Sequence, residues 1–188
     1  MGKNVAGKLG KGISPKQFYD AMQKNQEAFQ GWSSRFEWVN GEDREFFESI
    51  NNRDDLRCVI IASDWCGDVV RNVPVVFQAM ELTGMSVEVL IMEEHLDTID
   101  EFLTMGGRSI PIVIIADTGG HVLGQWGPRP SYVQEPMVAF KQANPDREAS
   151  DYQEKLALAR QELIRRYGDD TAYQQDIITE LRTLLASV

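Results

Sequence analysis

The chain has 188 residues and a formal net charge of −10, from 19 Lys and Arg residues against 29 Asp and Glu residues. This balance excludes nucleic acid as an expected partner, because phosphate binding requires a basic surface, and it disfavours anionic membranes. The two cysteines are too few for a disulfide framework and fit a reducing compartment. No signal-peptide core or bilayer-spanning apolar run is present, so we expect a cytoplasmic protein that has no membrane partner.

The N-terminal region, residues 1–41, is predicted to contain an arm followed by helical structure. Residues 1–13 are rich in Gly, Lys and Asn, and we expect them to form a loose arm. Ser14 and Pro15 are typical of a helix start, with a capping hydroxyl followed by proline in the first turn. Apolar residues at roughly helical spacing then predict a core-facing stripe formed by Phe18, Met22, Phe29, Trp32 and Phe36.

The central region, residues 42–143, alternates between apolar β-type runs and helical segments. The element order β-α-β-α-β-β-α predicts an α/β fold in which helices cover both faces of a mixed sheet. A turn at 117–120 joins the last two strands as a hairpin. The predicted strands are 57–63, 86–92, 110–116 and 121–126, and the predicted helices are 42–50, 67–82 with an interruption at Pro74, 96–104 and one after 127–130.

The C-terminal region, residues 144–188, is predicted to form an αα-hairpin extension. Gly168 and the two aspartates that follow it supply a helix stop and a cap. The two apolar stripes must be buried, either against the domain or in a homodimer through these helices, because exposed patches of this size are rare. The stripes are Tyr152, Leu156, Ala159, Leu163 and Tyr167 on one helix, and Tyr173, Ile177, Leu181 and Leu184 on the other.

The chemistry of the chain is predicted to centre on Cys66, which follows the first strand and begins the next helix. Unpaired backbone N–H groups and the helix dipole lower a thiol pKa at such a position, which predicts a reactive thiolate. The carboxylate of Asp68 suits the helix dipole but repels a thiolate, and the sequence leaves that balance open. Cys58 lies inside the strand and is expected to be a small core residue.

The segment Trp65-Cys66-Gly67-Asp68-Val69 resembles the Trp-Cys-Gly-Pro-Cys active site of thioredoxins. Eight residues after the cysteine comes Pro74, at the position of the proline that kinks the active-site helix in that family. The segments W-C-G-D and W-G-P-R-P are also similar to those of a bacterial branch of thioredoxin-like proteins.

Two further segments resemble the groove of thioredoxins. Arg108-Ser109-Ile110-Pro111 resembles the loop that carries the family's cis-proline, and Gly127 matches the glycine that lines the groove. The resemblance covers residues 42–143 and implies a thioredoxin-like domain with Cys66 as the catalytic residue. It implies no metal and no cofactor, a protein or small-molecule thiol or disulfide as partner, and substrate binding by Trp65, Gly67, Asp68, Ile110, Pro111 and Gly127.

The chain departs from thioredoxins at the second cysteine, whose place is taken by Val69. Cys58 is no substitute, because about 3.3 Å per strand residue puts it about 20 Å from Cys66. A disulfide requires Cα atoms within about 7 Å of each other. Ile60 also stands where many thioredoxins bury an aspartate.

Two hypotheses about function therefore remain open. One is a monothiol redox protein, in which Cys66 forms a mixed disulfide that an external thiol resolves. The other is a non-catalytic binding module that uses the cis-proline groove.

Overall fold

A four-stranded mixed sheet forms the centre of the fold in the computed structural model, which describes residues 2–188 and leaves Met1 outside the described part. The strand order is β2-β1-β3-β4, with β1 parallel to β2 and antiparallel to β3, and with β3 antiparallel to β4. The predicted α/β fold class is confirmed. The strands are β1 (Leu56–Ala62), β2 (Ser86–Ile91), β3 (Ile112–Asp117) and β4 (Val122–Trp126).

Helices cover both faces of the sheet. Over residues 2–188, no helix is both long enough and apolar enough to cross a membrane. The α-helices are α1 (Pro15–Ala21), α2 (Gln26–Ser34), α3 (Gly41–Ser49), α4 (Gly67–Thr83), α5 (Leu96–Ile99), α6 (Ser131–Ala143), α7 (Tyr152–Tyr167) and α8 (Ala172–Ala186).

The two central strands explain the apolar runs of the sequence. Val59, Ile60 and Ile61 of β1 are completely buried, as are Ile114 and Ile115 of β3. Consecutive buried residues point to opposite faces of a strand, so helices must cover both sides of these strands. The loop that follows β1 thus begins at a strand that is buried on both faces.

The expectation of a loose arm over residues 1–13 is wrong for the described residues. Val5 is only 2% exposed, and its N–H donates to the carbonyl oxygen of Gly120 at 2.8 Å. Ile13 and Val89 exchange backbone hydrogen bonds of 2.9 and 2.7 Å at the edge of the sheet. This pairing uses backbone groups, so the polar composition of the segment could not indicate it.

Several predicted helix boundaries change. The predicted start at Ser14 is confirmed by a capping box with Gln17, but Asn25 adopts a left-handed conformation and separates α1 from α2. Pro74 lies inside α4, which continues through it as one helix. The predicted helix 96–104 is shorter, because α5 ends at Ile99 and a 3-10 turn follows it.

The C-terminal helices fold back onto the rest of the chain. Helix α7 packs mainly on α6, and α8 packs on α3, α4 and β4, so both helices pack against the rest of the chain. The two helices meet where the rings of Tyr167 and Tyr173 lie 5.1 Å apart. Tyr167, Tyr173, Ile177 and Leu181 are buried. The domain boundaries at 42 and 144, and a homodimer through these helices, stay predictions.

Candidate functional site

Cys66 occupies the N-cap position of α4, directly after the loop that leaves β1. The opposite wall is the Ile110–Pro111 segment, whose peptide bond is cis, as the resemblance implied. The Cys66 thiol donates a hydrogen bond of 3.5 Å to the carbonyl oxygen of Ile110. Only 9% of Cys66 is exposed, so the sulfur lies between the helix start and the cis-proline loop.

Burial raises the pKa of the Cys66 thiol above its ordinary value, because it disfavours the charged thiolate. The backbone N–H of Val69 acts in the opposite direction, the carboxylate of Asp68 raises the pKa further, and the guanidinium of Arg129 lowers it. The net direction is upward. The expectation that the helix start alone activates this thiol is therefore wrong, since desolvation exceeds the effect of the backbone amides.

A buried polar cluster lies under the start of α4. Asp68 forms two hydrogen bonds with Arg129, of 2.8 and 2.7 Å, and both side chains are about 15% exposed. The Tyr167 hydroxyl donates to the same carboxylate at 2.7 Å. Asn72, which is fully buried, donates to the Tyr167 oxygen and to the carbonyl oxygen of Pro128. These bonds connect α4 to the end of α7.

Trp65 forms the exposed rim of the site, with 49% of its surface accessible. Its indole N–H donates to Glu93 at 2.6 Å, and the hydroxyl of Ser63 donates to the same carboxylate. Burial raises the pKa of Glu93, but these two hydrogen bonds outweigh burial and hold the pKa below its ordinary value. An ionised Glu93 therefore fixes the orientation of the indole ring beside Cys66.

Gly127 lies against the cis-proline loop, in agreement with its predicted place in the groove. Its φ of +117° favours glycine, and a Cβ at this position would lie 2.2 Å from the carbonyl oxygen of Pro111. The following peptide bond, Gly127–Pro128, is also cis. Glycine is therefore required here for the close approach of the two loops.

No second thiol of the described residues lies near Cys66. Val69, one helical turn later, is completely buried, and so is Ile60 of β1. Cys58 is a buried free cysteine of β1, and burial raises its pKa to about 12. The prediction that Cys58 is a core residue is confirmed. Over residues 2–188, no group of His, Cys, Asp and Glu residues is arranged to hold a metal ion.

A comparison with known protein families identifies the family of this chain. A family model described as thioredoxin matches residues 12–150, which is most of the chain. The chain belongs to the thioredoxin family. Comparison of this thioredoxin-family chain with the curated proteins found no match.

Two solved structures share the fold of this thioredoxin-family chain. A protein of unknown function from Pseudomonas aeruginosa has a TM-score of 0.53 at 18% identity, with 99% of this chain and 93% of that chain covered. An HIV epitope-scaffold has a TM-score of 0.56 at 15% identity, with 100% of this chain and 94% of that one covered. At these identities the similarity concerns the fold alone.

The structure of this thioredoxin-family chain brings the predicted site residues Trp65, Gly67, Asp68, Ile110, Pro111 and Gly127 together around Cys66. Sequence analysis missed Arg129, Asn72, Tyr167 and Glu93. Arg129 lies in the W-G-P-R-P segment, and Asn72 is a lone amide on an apolar helix face. Both residues could therefore have been noticed in the sequence. Tyr167 carried none, because its contact with Asp68 spans 99 residues of sequence.

Proposed function

We propose that this protein carries out monothiol thiol–disulfide exchange through Cys66. The Cys66 thiolate attacks one sulfur of a disulfide, forms a mixed disulfide with it, and releases the other sulfur as a thiolate that takes up a proton. An external thiol then attacks the mixed disulfide and leaves with the bound group as a new disulfide. Cys66 is thereby regenerated as a thiol, and the number of thiols and disulfides is conserved.

The observation that carries this proposal is the contact between the Cys66 thiol and the Ile110 carbonyl oxygen beside the cis Pro111 bond. An extended substrate segment that pairs with the backbone of this loop would place its disulfide beside the sulfur. The exposed ring of Trp65 offers an apolar surface for the same segment. The partner that we propose is a protein or small-molecule disulfide in the cytoplasm, where small thiols can complete the cycle.

The raised pKa of Cys66 affects the rate of the first step. Because the thiolate is the nucleophile and the thiol predominates at neutral pH, the reaction is expected to be slow there. The rate should rise as the pH increases toward the pKa of Cys66. An intrinsically more nucleophilic thiolate, which a higher pKa supplies, offsets part of this loss.

The proposal is tested by capture of the mixed disulfide with bis(2-hydroxyethyl) disulfide, followed by mass spectrometry of the intact protein and of its peptides. The wild-type protein and Cys58→Ser should each gain one adduct, and Cys66→Ser should gain none. Because Cys58 is fully buried, it serves as the matched control for a non-reactive thiol. An adduct on Cys58, or none on Cys66 even at alkaline pH, would refute the proposal.

A second function, a non-catalytic binding module, is favoured by the raised pKa of Cys66 and by Val69 in place of a resolving cysteine. In that case the groove holds an extended peptide and the thiol is only part of its wall. Selection of peptides from a displayed library on the wild type and on Cys66→Ser tests it. Equal binding by both proteins, together with the absence of a mixed disulfide, would establish the binding function instead.

A further inference from the structure

A cavity with a volume of about 430 Å³ lies beside the site. Its walls are helices α6 and α7 and the 104–109 segment, which leads directly into the cis-proline loop. Met137 and Leu163 supply apolar lining, and Ser109 supplies a hydroxyl. Cavities of about 300–1,000 Å³ are of the size that binds small molecules, so a ligand of tripeptide size fits here.

The charge of this cavity is opposite to that of the whole protein. Its lining includes Arg129, Lys141 and Arg160, and among the residues that the structure describes no Asp or Glu lines it. Arg129 is neutralised by Asp68, whereas Lys141 and Arg160 form no ion pair within residues 2–188. A chain of net charge −10 repels anions in general, so two uncompensated cations in one concave site select for an anionic group.

Two residues of the cavity wall are linked to the surroundings of Cys66. Ser109, in the cavity wall, immediately precedes Ile110, whose carbonyl oxygen accepts the hydrogen bond from the Cys66 thiol. Arg129, in the same wall, holds the Asp68 carboxylate at the start of α4. A ligand in the cavity would therefore contact the residue next to Ile110 and the side chain that holds Asp68.

We infer that this cavity binds the carboxylate groups of a small anionic thiol and presents its disulfide to Cys66, an inference that rests on the proposed thiol exchange. Lys141 and Arg160 supply the charge, and the apolar lining receives the carbon skeleton. Guanidinium groups bind carboxylate and phosphate alike, because both offer paired anionic oxygens. The experiment therefore has to distinguish a carboxylate-bearing thiol from phosphate.

The test compares exchange rates of the full chain with oxidised glutathione and with its tetraethyl ester, which has the same disulfide but no carboxylates. The wild-type protein should react about tenfold faster with the acid than with the ester, a ratio equal to about 1.4 kcal/mol. The double variant Lys141→Gln/Arg160→Gln should lose this preference. Lys155→Gln, on α7 but outside the cavity, should retain it, and the preference should fall at high salt.

The ratio of the two rates reports on binding in the cavity and not on the reactivity of Cys66, because a change in that reactivity alters both rates equally. An equal ratio in the wild type and the double variant would overturn the inference while leaving the proposed exchange intact. No adduct from either disulfide would refute the proposed exchange.

A binding titration, which requires no disulfide exchange, tests the cavity directly. Cys66→Ser should bind S-methylglutathione, and the Lys141→Gln/Arg160→Gln changes should weaken this binding about tenfold. Binding of inorganic phosphate without S-methylglutathione, or of neither, would overturn the assignment. Circular dichroism melts of each variant establish that a lost interaction reflects lost charge rather than unfolding.

Discussion

The thiol of Cys66 donates its hydrogen bond to the carbonyl oxygen of Ile110, 3.5 Å away across the groove. This contact directs the protonated sulfur toward the same loop that an extended substrate is proposed to use. A substrate that takes over the Ile110 backbone would release the thiol from this bond. Docking and exposure of the nucleophile are therefore coupled in the proposed mechanism.

The charges beside Cys66 predict opposite effects of two substitutions on its pKa. Asp68→Asn removes a carboxylate that raises the thiol pKa, so the pKa should fall and alkylation at pH 7 should become several-fold faster. Arg129→Gln removes the compensating cation, so the pKa should rise and alkylation should slow. Iodoacetamide kinetics against pH in a Cys58→Ser background measure both. Shifts in the same direction would contradict the electrostatic account.

Tyr167 is expected to stabilise the protein through its hydroxyl, which bonds to Asp68 and Asn72 in the buried cluster. Tyr167→Phe removes both bonds without changing the ring, so the free energy of unfolding should fall by about 1–2 kcal/mol. Tyr132→Phe is the control. Because Tyr132 is more than half exposed, this substitution should change the free energy of unfolding by less than about 0.5 kcal/mol. Urea unfolding measures both. Equal losses would show that the Tyr167 hydroxyl contributes no more stability than an exposed one.

Asp43 connects α3 to α8, since it accepts hydrogen bonds from Arg182 at 2.6 Å and from Gln175 at 2.8 Å. Burial raises its pKa, but these bonds and one from Asn40 outweigh burial and lower it. A pKa lowered by folding stabilises the fold above the unfolded value of about 3.9, and this stability is lost as the pH falls through the folded value.

The acid dependence of Asp43 gives a direct test. Asp43→Asn should cost about 2 kcal/mol of unfolding free energy at pH 7, discounted because Arg182 is partly exposed. The difference from wild type should shrink as the pH falls below about 4, since the carboxylate is protonated first in the unfolded state and then, below its lowered pKa, in the folded state. Asp20→Asn, in an exposed pair, should leave stability nearly unchanged at both pH values. A difference independent of pH would contradict the assigned role.

The order of strands and helices was predictable because apolar runs and turn residues are local signals. Strand β1 has consecutive buried residues, and Ser14 followed by Pro15 is a helix-start pattern visible in the sequence, to which the structure adds the capping contact with Gln17. The docking of residues 2–13 was not predictable, because it depends on backbone pairing with strand β2 and the turn at Gly120.

Some features of the candidate site were likewise predictable from the sequence, and others were not. Cys66, Pro111 and Gly127 could be identified from motif spacing, whereas the raised pKa of the thiol could not. It depends on how deeply the sulfur is buried, which is a property of the packed structure. The contact of Tyr167 with Asp68 required knowing where α7 packs, and no local pattern contains that information.

The central claim is that Cys66 forms a mixed disulfide that the protein itself cannot resolve, because Val69 is not a thiol. The most direct measurement is the lifetime of the Cys66 adduct with bis(2-hydroxyethyl) disulfide, with and without added glutathione, in the wild type and in Val69→Cys. The wild-type adduct should persist until glutathione is added. Val69→Cys should release it unaided, since its new thiol lies one helical turn from Cys66. Unaided release by the wild type at the rate of Val69→Cys would contradict the account.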